Sequence, residues 1–432
     1  MNPPDQSIEI NLPQLGQKSR GKIAKSRNSR IRFTVLIIIQ ILIIAHIIQW
    51  LITGTTIAPI EPSESMETVK YGVITVGFIF FVVALASTAI LGRWFCGWGC
   101  HVVLLQDASA KFLERFGIKP RPFRSRIMMF MPLALALYMF IWPIVDRFVV
   151  GPMIGRGGNW PGFSTHLTTS DFWGTFPGWI VGVPFLLVCG FFTIYFLGMK
   201  GYCTYGCPYG GFFAPLDQLA IGRIKVNDNC EQCGHCTAVC TSNVRVHEEV
   251  RDFGMVVDQG CMKCMDCVSV CPMDALSFGI AKPAVKKVVP EGRKERRWDL
   301  SWPEEIVFGV ITTFTFLSVY QLYGMIPLLF ASGLTALIVF FLFKAWCCLK
   351  KKDVRMHSWQ LKRGGRLTKK GQAYLLGSVI ISMLVIHSGA VRSLMAYADY
   401  HDLRVTSNAS MVFSTDPVIP DTPILEHARK AR

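Results

Sequence analysis

The sequence predicts a polytopic α-helical membrane protein of about seven transmembrane helices, with a small α+β domain inserted after the fourth. Three observations predict it. Apolar stretches of roughly 20 residues, the length that crosses a bilayer, recur along a 432-residue chain that is 51% hydrophobic. Basic residues gather beside alternate stretches. Eight cysteines fall between Cys230 and Cys271, outside every apolar stretch.

A basic tail is expected over residues 1–30. A four-helix membrane region follows over 31–221, with stretches at Ile31–Ile52, Tyr71–Leu91, Ile127–Val150 and Trp179–Gly198. The cysteine-rich domain is expected over 222–283 and a basic linker over 284–303. A three-helix region spans 304–390, with stretches at Glu304–Tyr323, Met325–Phe343 and Ala373–Ala390. A very short turn joins the fifth stretch to the sixth, which predicts a helical hairpin. A tail over 391–432 completes the chain.

The formal charge of +16 raises nucleic acid as a partner, but the placement of the charge argues against it. Arg20, Lys22, Lys25, Arg27, Arg30 and Arg32 precede the first stretch. Lys111, Arg115, Lys119, Arg121, Arg124 and Arg126 lie between the second and third. Lys286, Lys287, Arg293, Lys294, Arg296 and Arg297 precede the fifth. Lys350, Lys351, Lys352, Lys362, Arg363, Lys369 and Lys370 separate the sixth from the seventh. The alternate loops carry Glu61, Glu64 and Glu67 or little charge. Lys and Arg collect in cytoplasmic loops. The expected location is therefore the bacterial inner membrane, with the N-terminus and the cysteine-rich domain in the cytoplasm and the C-terminus outside. The surplus charge is read as topology and contact with anionic membrane lipid. No nucleic-acid partner is expected.

The eight cysteines form two runs, Cys230, Cys233, Cys236, Cys240 and Cys261, Cys264, Cys267, Cys271. Both have the spacing C-x2-C-x2-C-x3-C, which holds [4Fe–4S] clusters through thiolates. Zinc prefers isolated cysteine pairs with a longer spacer, and a disulfide framework suits short secreted chains. The second run repeats the first at a constant offset, which marks a duplicated unit. Each unit is expected to hold a short strand, a cysteine loop, a brief helix and a second strand. In two-cluster ferredoxins of the bacterial type the fourth cysteine of each run ligates the other cluster. That assigns Cys230, Cys233, Cys236 and Cys271 to one cluster, and Cys261, Cys264, Cys267 and Cys240 to the other. Thr241 stands where a proline often follows the fourth cysteine; Pro272 follows the other.

Four more cysteines end the second and fourth stretches: Cys96 and Cys100, then Cys203 and Cys207. Each pair is Cys-x3-Cys with an aromatic before it, an aromatic inside, and glycine before the second cysteine. On one helix, residues four apart share a face with Cβ atoms about 5–6 Å apart. That is wide for a disulfide and suits a shared metal, since thiolates select Cu(I), zinc or iron–sulfur species. A structural reading, reduced thiols at a packed interface, stands beside this redox or metal role.

The order of basic tail, two hairpins each ending in Cys-x3-Cys, and a double [4Fe–4S] module resembles the membrane polyferredoxins. These include the NapH subunit of periplasmic nitrate reductase systems, the membrane part of NosR and the oxidase assembly factor CcoG. The resemblance covers about Arg30 to Ile280. The family places proline after the second cysteine of each pair; Pro208 matches and His101 departs. The resemblance implies an electron-transfer component of an oxidoreductase system, with the quinone pool as donor or acceptor and a redox partner protein. A copper reductase or metalloenzyme assembly factor, with copper at the Cys-x3-Cys pairs, is the second reading. A membrane redox sensor is the third.

Other residues carry weaker signals. His46 and His387 fall within apolar stretches and are read as hydrogen-bonded structural histidines. Asp146 and Arg147 are read as a local pair, and Cys189 as a packing residue. Cys347 and Cys348 are read as interfacial. Trp142, Trp160, Trp173 and Trp179 are read as an interfacial belt.

Overall fold

The computed structural model describes residues 23–402, apart from 119, 154–159, 161, 175–177, 292 and 294–297. Arg20, Lys22, Lys119, Lys294, Arg296 and Arg297 therefore lie outside the described residues, as do most of both tails. The chain divides into two compact units, Met1–Ser301 and Trp302–Arg432.

In the first unit, α1 spans Arg27–Thr53. The Ser26 side chain accepts from the Ser29 N–H at its start, and Gly54, left-handed at φ 72°, ends it. Helix α2 covers Val76–Leu91, capped by Thr75 accepting from the Phe78 N–H. It starts later than the sequence predicts, because Gly72 turns left-handed and Val73–Thr75 pair in parallel with Ser164–His166. The five-residue α3, Trp94–Trp98, reverses the chain after Gly92, and α4 runs from His101 to Arg115. Two long spans follow, α5 at Met128–Met153 and α6 at Trp179–Leu197. Helix α6 carries Pro184 just before a π-helical stretch, Leu187–Phe192; both features bend helices. After Gly198, α7 (Gly201–Tyr205) and α8 (Pro208–Leu219) repeat the pattern of α3 and α4. Helix α8 packs on α5 and α2, with Phe81, Phe140, Phe212 and Phe213 interlocked edge to face or stacked.

The cysteine-rich domain begins with β1, Gly222–Val226, then α9 (His235–Ala238), α10 (Val246–Phe253) and α11 (Asp266–Ser269), and ends with β2, Leu276–Ile280. Strands β1 and β2 pair antiparallel, Gly222 opposite Ile280 and Val226 opposite Leu276. The expected inner strands of the two units do not form; a single bridge between Lys225 and Met255 stands in their place. Helix α10 takes up that part of the chain. Its Val246 and Val250 join Ile224, Val244, Val256 and Leu276 in the core against which the cysteines pack.

In the second unit, α12 (Trp302–Val319) and α13 (Leu328–Lys350) form the expected hairpin. Glu304 accepts from Lys350 Nζ at 2.6 Å and from Trp346 Nε1 at 2.9 Å. A three-stranded antiparallel sheet follows, β3 (Val354–Met356), β4 (Trp359–Arg363) and β5 (Arg366–Leu367), which apolar patterning did not reveal. Helix α14, Lys369–Asp402, is far longer than the predicted apolar stretch. Five segments combine the length and apolarity that crossing a membrane needs: α1, α5, α6, α13 and α14 up to His401. Helix α2, at 16 residues, rises about 24 Å, short of a full span. Helix α12 opens with Glu304 and Glu305 in its first turn, which lowers its apolarity.

Candidate functional site

The two cysteine runs fold as copies. A shift of 31 residues (261 minus 230) lays Gln232 on Lys263, Gly234 on Met265 and Asn243 on Asp274. All six are left-handed, with φ of 54° and 50°, 76° and 61°, 58° and 45°. Left-handed residues beside right-handed ones curl the backbone into a nest of N–H groups, a feature of many iron–sulfur sites. A non-glycine residue in such a conformation costs of order 1–3 kcal/mol, so the surrounding fold imposes it.

Cys230, Cys233, Cys236 and Cys271 line one cavity of about 20 Å³, beside His235, His247 and Met273. Cys240 sits instead within electrostatic reach of Cys261, Cys264 and Cys267. The fourth cysteine of each run thus lies with the other run. Burial, then the neighbouring thiols, pushes Cys236 and Cys240 up to about 12 and Cys267 well above the usual thiol range, and burial, then the Asp266 carboxylate, does the same to Cys264. As free thiols they keep their protons at neutral pH; metal binding is what draws them off.

The donor set fits a cluster better than a single ion. Tetrahedral zinc would draw four sulfurs to within about 3.8 Å of one another. Among the described residues, no three His, Cys, Asp or Glu side chains gather closely enough to hold one ion. Four thiolates per quartet, at the C-x2-C-x2-C-x3-C spacing, are the ligands that a [4Fe–4S] cluster takes.

The two quartets differ in exposure. Cys261, Cys264 and Cys267 are buried and Cys240 is partly exposed, while Cys230, Cys233, Cys236 and Cys271 are all partly exposed. The membrane helices cover the buried set. Arg32 on α1 reaches Asp107 at 3.0 Å and Asp266 at 3.4 Å. Ser26 donates to Asp266 at 2.8 Å, and Asn28 Nδ2 to the Met265 carbonyl at 2.8 Å. Trp98 Nε1 on α3 donates to the Lys263 carbonyl at 2.9 Å. Asp217 on α8 accepts from Lys263 Nζ at 2.8 Å, Arg223 at 2.9 Å and the Arg93 N–H at 2.9 Å. All three charged side chains in this last network are buried. Such pairs fix position more than they add net stability.

Each Cys-x3-Cys pair straddles a chain reversal rather than lying on one helix face, contrary to the helical expectation. Cys96 is in α3 and Cys203 in α7, whereas Cys100 and Cys207 are the N-cap residues of α4 and α8. The reversals nevertheless bring all four together: Cys207 lies within electrostatic reach of Cys203, Cys100 and Cys96. Arg93 Nε donates to Cys96 Sγ at 3.3 Å, and Gln106 Nε2 to Cys203 Sγ at 3.3 Å. Sequence reasoning missed Arg93, Lys200, Gln106, Asp107 and Asp217. One signal was present: the offset of 107 between Cys96 and Cys203 also lays Arg93 on Lys200. Each is a buried cation three residues before its pair, and Lys200 Nζ meets Asp107 at 2.5 Å.

His46 Nε2 and Thr56 Oγ1 are 2.8 Å apart, and the ring meets Phe172 edge-on at 5.0 Å. His387 is exposed on α14. Arg147 donates to the Lys70 carbonyl and lies 5.2 Å over the Trp160 ring. Cys189, Cys347 and Cys348 are buried.

Comparison with known proteins agrees with this geometry. A family described as a 4Fe-4S binding domain matches residues 73–119 and 179–227, and one described as a 4Fe-4S dicluster domain matches 229–276. An uncharacterized protein of Methanocaldococcus jannaschii is 26% identical over 212 residues, 46% of this chain and 77% of the relative. The ferredoxin-type protein NapH of Haemophilus influenzae is 26% identical over 203 residues, 44% of this chain and 63% of NapH. The methylamine utilization ferredoxin-type protein MauN of Methylorubrum extorquens is 23% identical over 188 residues, 42% of this chain and 60% of MauN. No solved structure matches. Apolar helices that carry 4Fe–4S domains define an iron–sulfur electron-transfer protein of the membrane. Within that class the chain is a NapH-like membrane polyferredoxin.

Proposed function

We propose that this chain passes single electrons between the quinone pool, or a cytoplasmic donor, and a redox partner protein. Cys230, Cys233, Cys236 and Cys271 would hold one [4Fe–4S] cluster, and Cys261, Cys264, Cys267 and Cys240 the second. Bound there, the clusters supply one-electron carriers whose potentials follow charge, hydrogen bonding and exposure. The chain contributes those settings: the Ala275 N–H donates to Cys271 Sγ at 3.2 Å, and Gln232 Nε2 to Cys230 Sγ at 3.5 Å.

The observation that carries this reading is that three of the four cysteines in one quartet are buried, while all four of the other are partly exposed. The buried quartet rests against α1 and α3, where a membrane-borne donor or acceptor has access. The open quartet presents its edge to a partner in solution. Relatives named as ferredoxin-type proteins support the redox role. The loop charges support a cytoplasmic N-terminus and cysteine-rich domain, a bacterial inner membrane and a C-terminus outside.

Paramagnetic resonance of anaerobically reduced membranes, titrated with quinol, tests the proposal. Two interacting [4Fe–4S] signals that respond to quinol are expected. Signals indifferent to quinol overturn the quinone link. Stoichiometric zinc without acid-labile sulfide overturns the cluster assignment.

A further inference from the structure

We infer that His247, oriented by Thr237, donates its Nε2–H to the cluster held by Cys230, Cys233, Cys236 and Cys271 and raises that cluster's reduction potential. This rests on the proposed function and names a positioning pair that sets the potential at its solution-facing end.

Placement is the first argument. Thr237 directly follows the ligand Cys236 within α9, and His247 lies in the first turn of α10. The His247 ring lines the same cavity as the four cysteines. It is 6% exposed, and its Nε2 is buried with no hydrogen-bond partner among the described residues. Burying such a group unpaired costs about 1–3 kcal/mol. A sulfur of the cluster supplies the acceptor that removes this cost.

Proton placement is the second argument. Thr237 Oγ1 accepts the His247 backbone N–H at 3.0 Å and lies 2.8 Å from its Nδ1. The one hydroxyl proton of Thr237 has two candidate acceptors, His247 Nδ1 and Cys236 Sγ. Giving it to Cys236 would put the ring proton of a neutral imidazole on Nδ1. The bare Nε2 lone pair would then sit beside an anionic cluster, which repels it. Giving it to Nδ1 puts the ring proton on Nε2, where the cluster attracts it. A hydrogen bond to a cluster sulfur stabilises the reduced, more negative state, so it raises the potential.

Asymmetry is the third argument. The offset of 31 residues (261 minus 230) lays Thr237 on Val268 and His247 on Phe278. Neither counterpart has a side-chain donor, and the second run has β2 where the first has α10. The pair therefore acts on one cluster alone. Raising its potential favours passage of one electron to it from the other cluster, which is oxidised as this one is reduced.

The midpoints of both [4Fe–4S] signals are measured by paramagnetic resonance during anaerobic redox titration of the full chain. The signal lost in Cys271→Ala marks the cluster in question. His247→Phe keeps a planar ring and is expected to lower that midpoint by threefold to tenfold in the one-electron equilibrium, about 28 to 59 mV. The other midpoint is expected to hold. Thr237→Val keeps the side-chain shape but removes the proton that fixes the tautomer. It is expected to lower the same midpoint by a smaller amount, and it decides alone if His247→Phe loses iron. Midpoints that match the parent in Thr237→Val, or in iron-retaining His247→Phe, overturn the inference and leave the proposed function standing. So do equal shifts of both clusters. A parent chain without [4Fe–4S] signals overturns the proposed function itself.

Discussion

Cys240 belongs by sequence to the first run and by position to the second, within reach of Cys261, Cys264 and Cys267. Cys240→Ala therefore separates crossed ligation from ligation within each run. Crossed ligation predicts the loss of the buried cluster, about four irons per chain, while the cluster of Cys230, Cys233, Cys236 and Cys271 survives. Iron analysis with paramagnetic resonance reads the result. A surviving signal with the environment of the buried cluster would sink the assignment. Cys271→Ala should give the opposite loss. The spacing made these ligands legible, because cysteine chemistry at fixed intervals leaves few alternatives. The donors around the sulfurs were not legible. Arg93 lies in a stretch whose cations are naturally counted as topology charge, and only its position beside Cys96 shows that it faces inward.

The two reversals, α3 and α7, were legible as a repeated motif but not as a shape. Continuous helical pairs were expected. Instead Gly99 and Gly206 end the short helices, and extended backbone at Cys100 and Cys207 starts the next ones. A cysteine at such a cap has no fixed spatial relation to one four residues earlier, so helical spacing could not predict the geometry. The same blindness applies to Gly97, where a Cβ would lie 2.3 Å from the Met262 carbonyl oxygen. Gly97→Ala would force two backbones apart, at a cost typical of overpacking, about 1–3 kcal/mol. A lower thermal midpoint is expected, with full iron content. Unchanged stability would show that the contact at Gly97 is loose. The buried network at Asp217 works alongside this contact, because it ties β1, α3 and the Lys263 loop to one carboxylate.

Across the molecule, charge placement and apolar length gave the membrane architecture, and each leaves a mark in the fold. The small sheet of Val73–Thr75 with Ser164–His166 and the cysteine-rich domain lie at opposite ends of α2. Its first turn follows Val73–Thr75, paired with Ser164–His166, and Leu91 touches Gly222, the first residue of β1. Sixteen helical residues separate the two ends, a rise of about 24 Å, less than the roughly 30 Å of a typical hydrocarbon core. The sequence counted α2 as a full span because apolar residues continue through the strand before it. Length alone could not reveal where the helix begins. The proposed orientation rests on lysine and arginine placement, and it can be tested on the intact chain. Thr165 and Lys286 are exposed and lie in that small sheet and after β2, respectively. Thr165→Cys should react with a membrane-impermeant maleimide in intact spheroplasts, above the background of the parent protein. Lys286→Cys should react only after permeabilisation. The reverse pattern would invert the topology and place the redox partner on the outer face. Equal labelling of both positions in intact spheroplasts would mean that no bilayer separates the small sheet from the cysteine-rich domain.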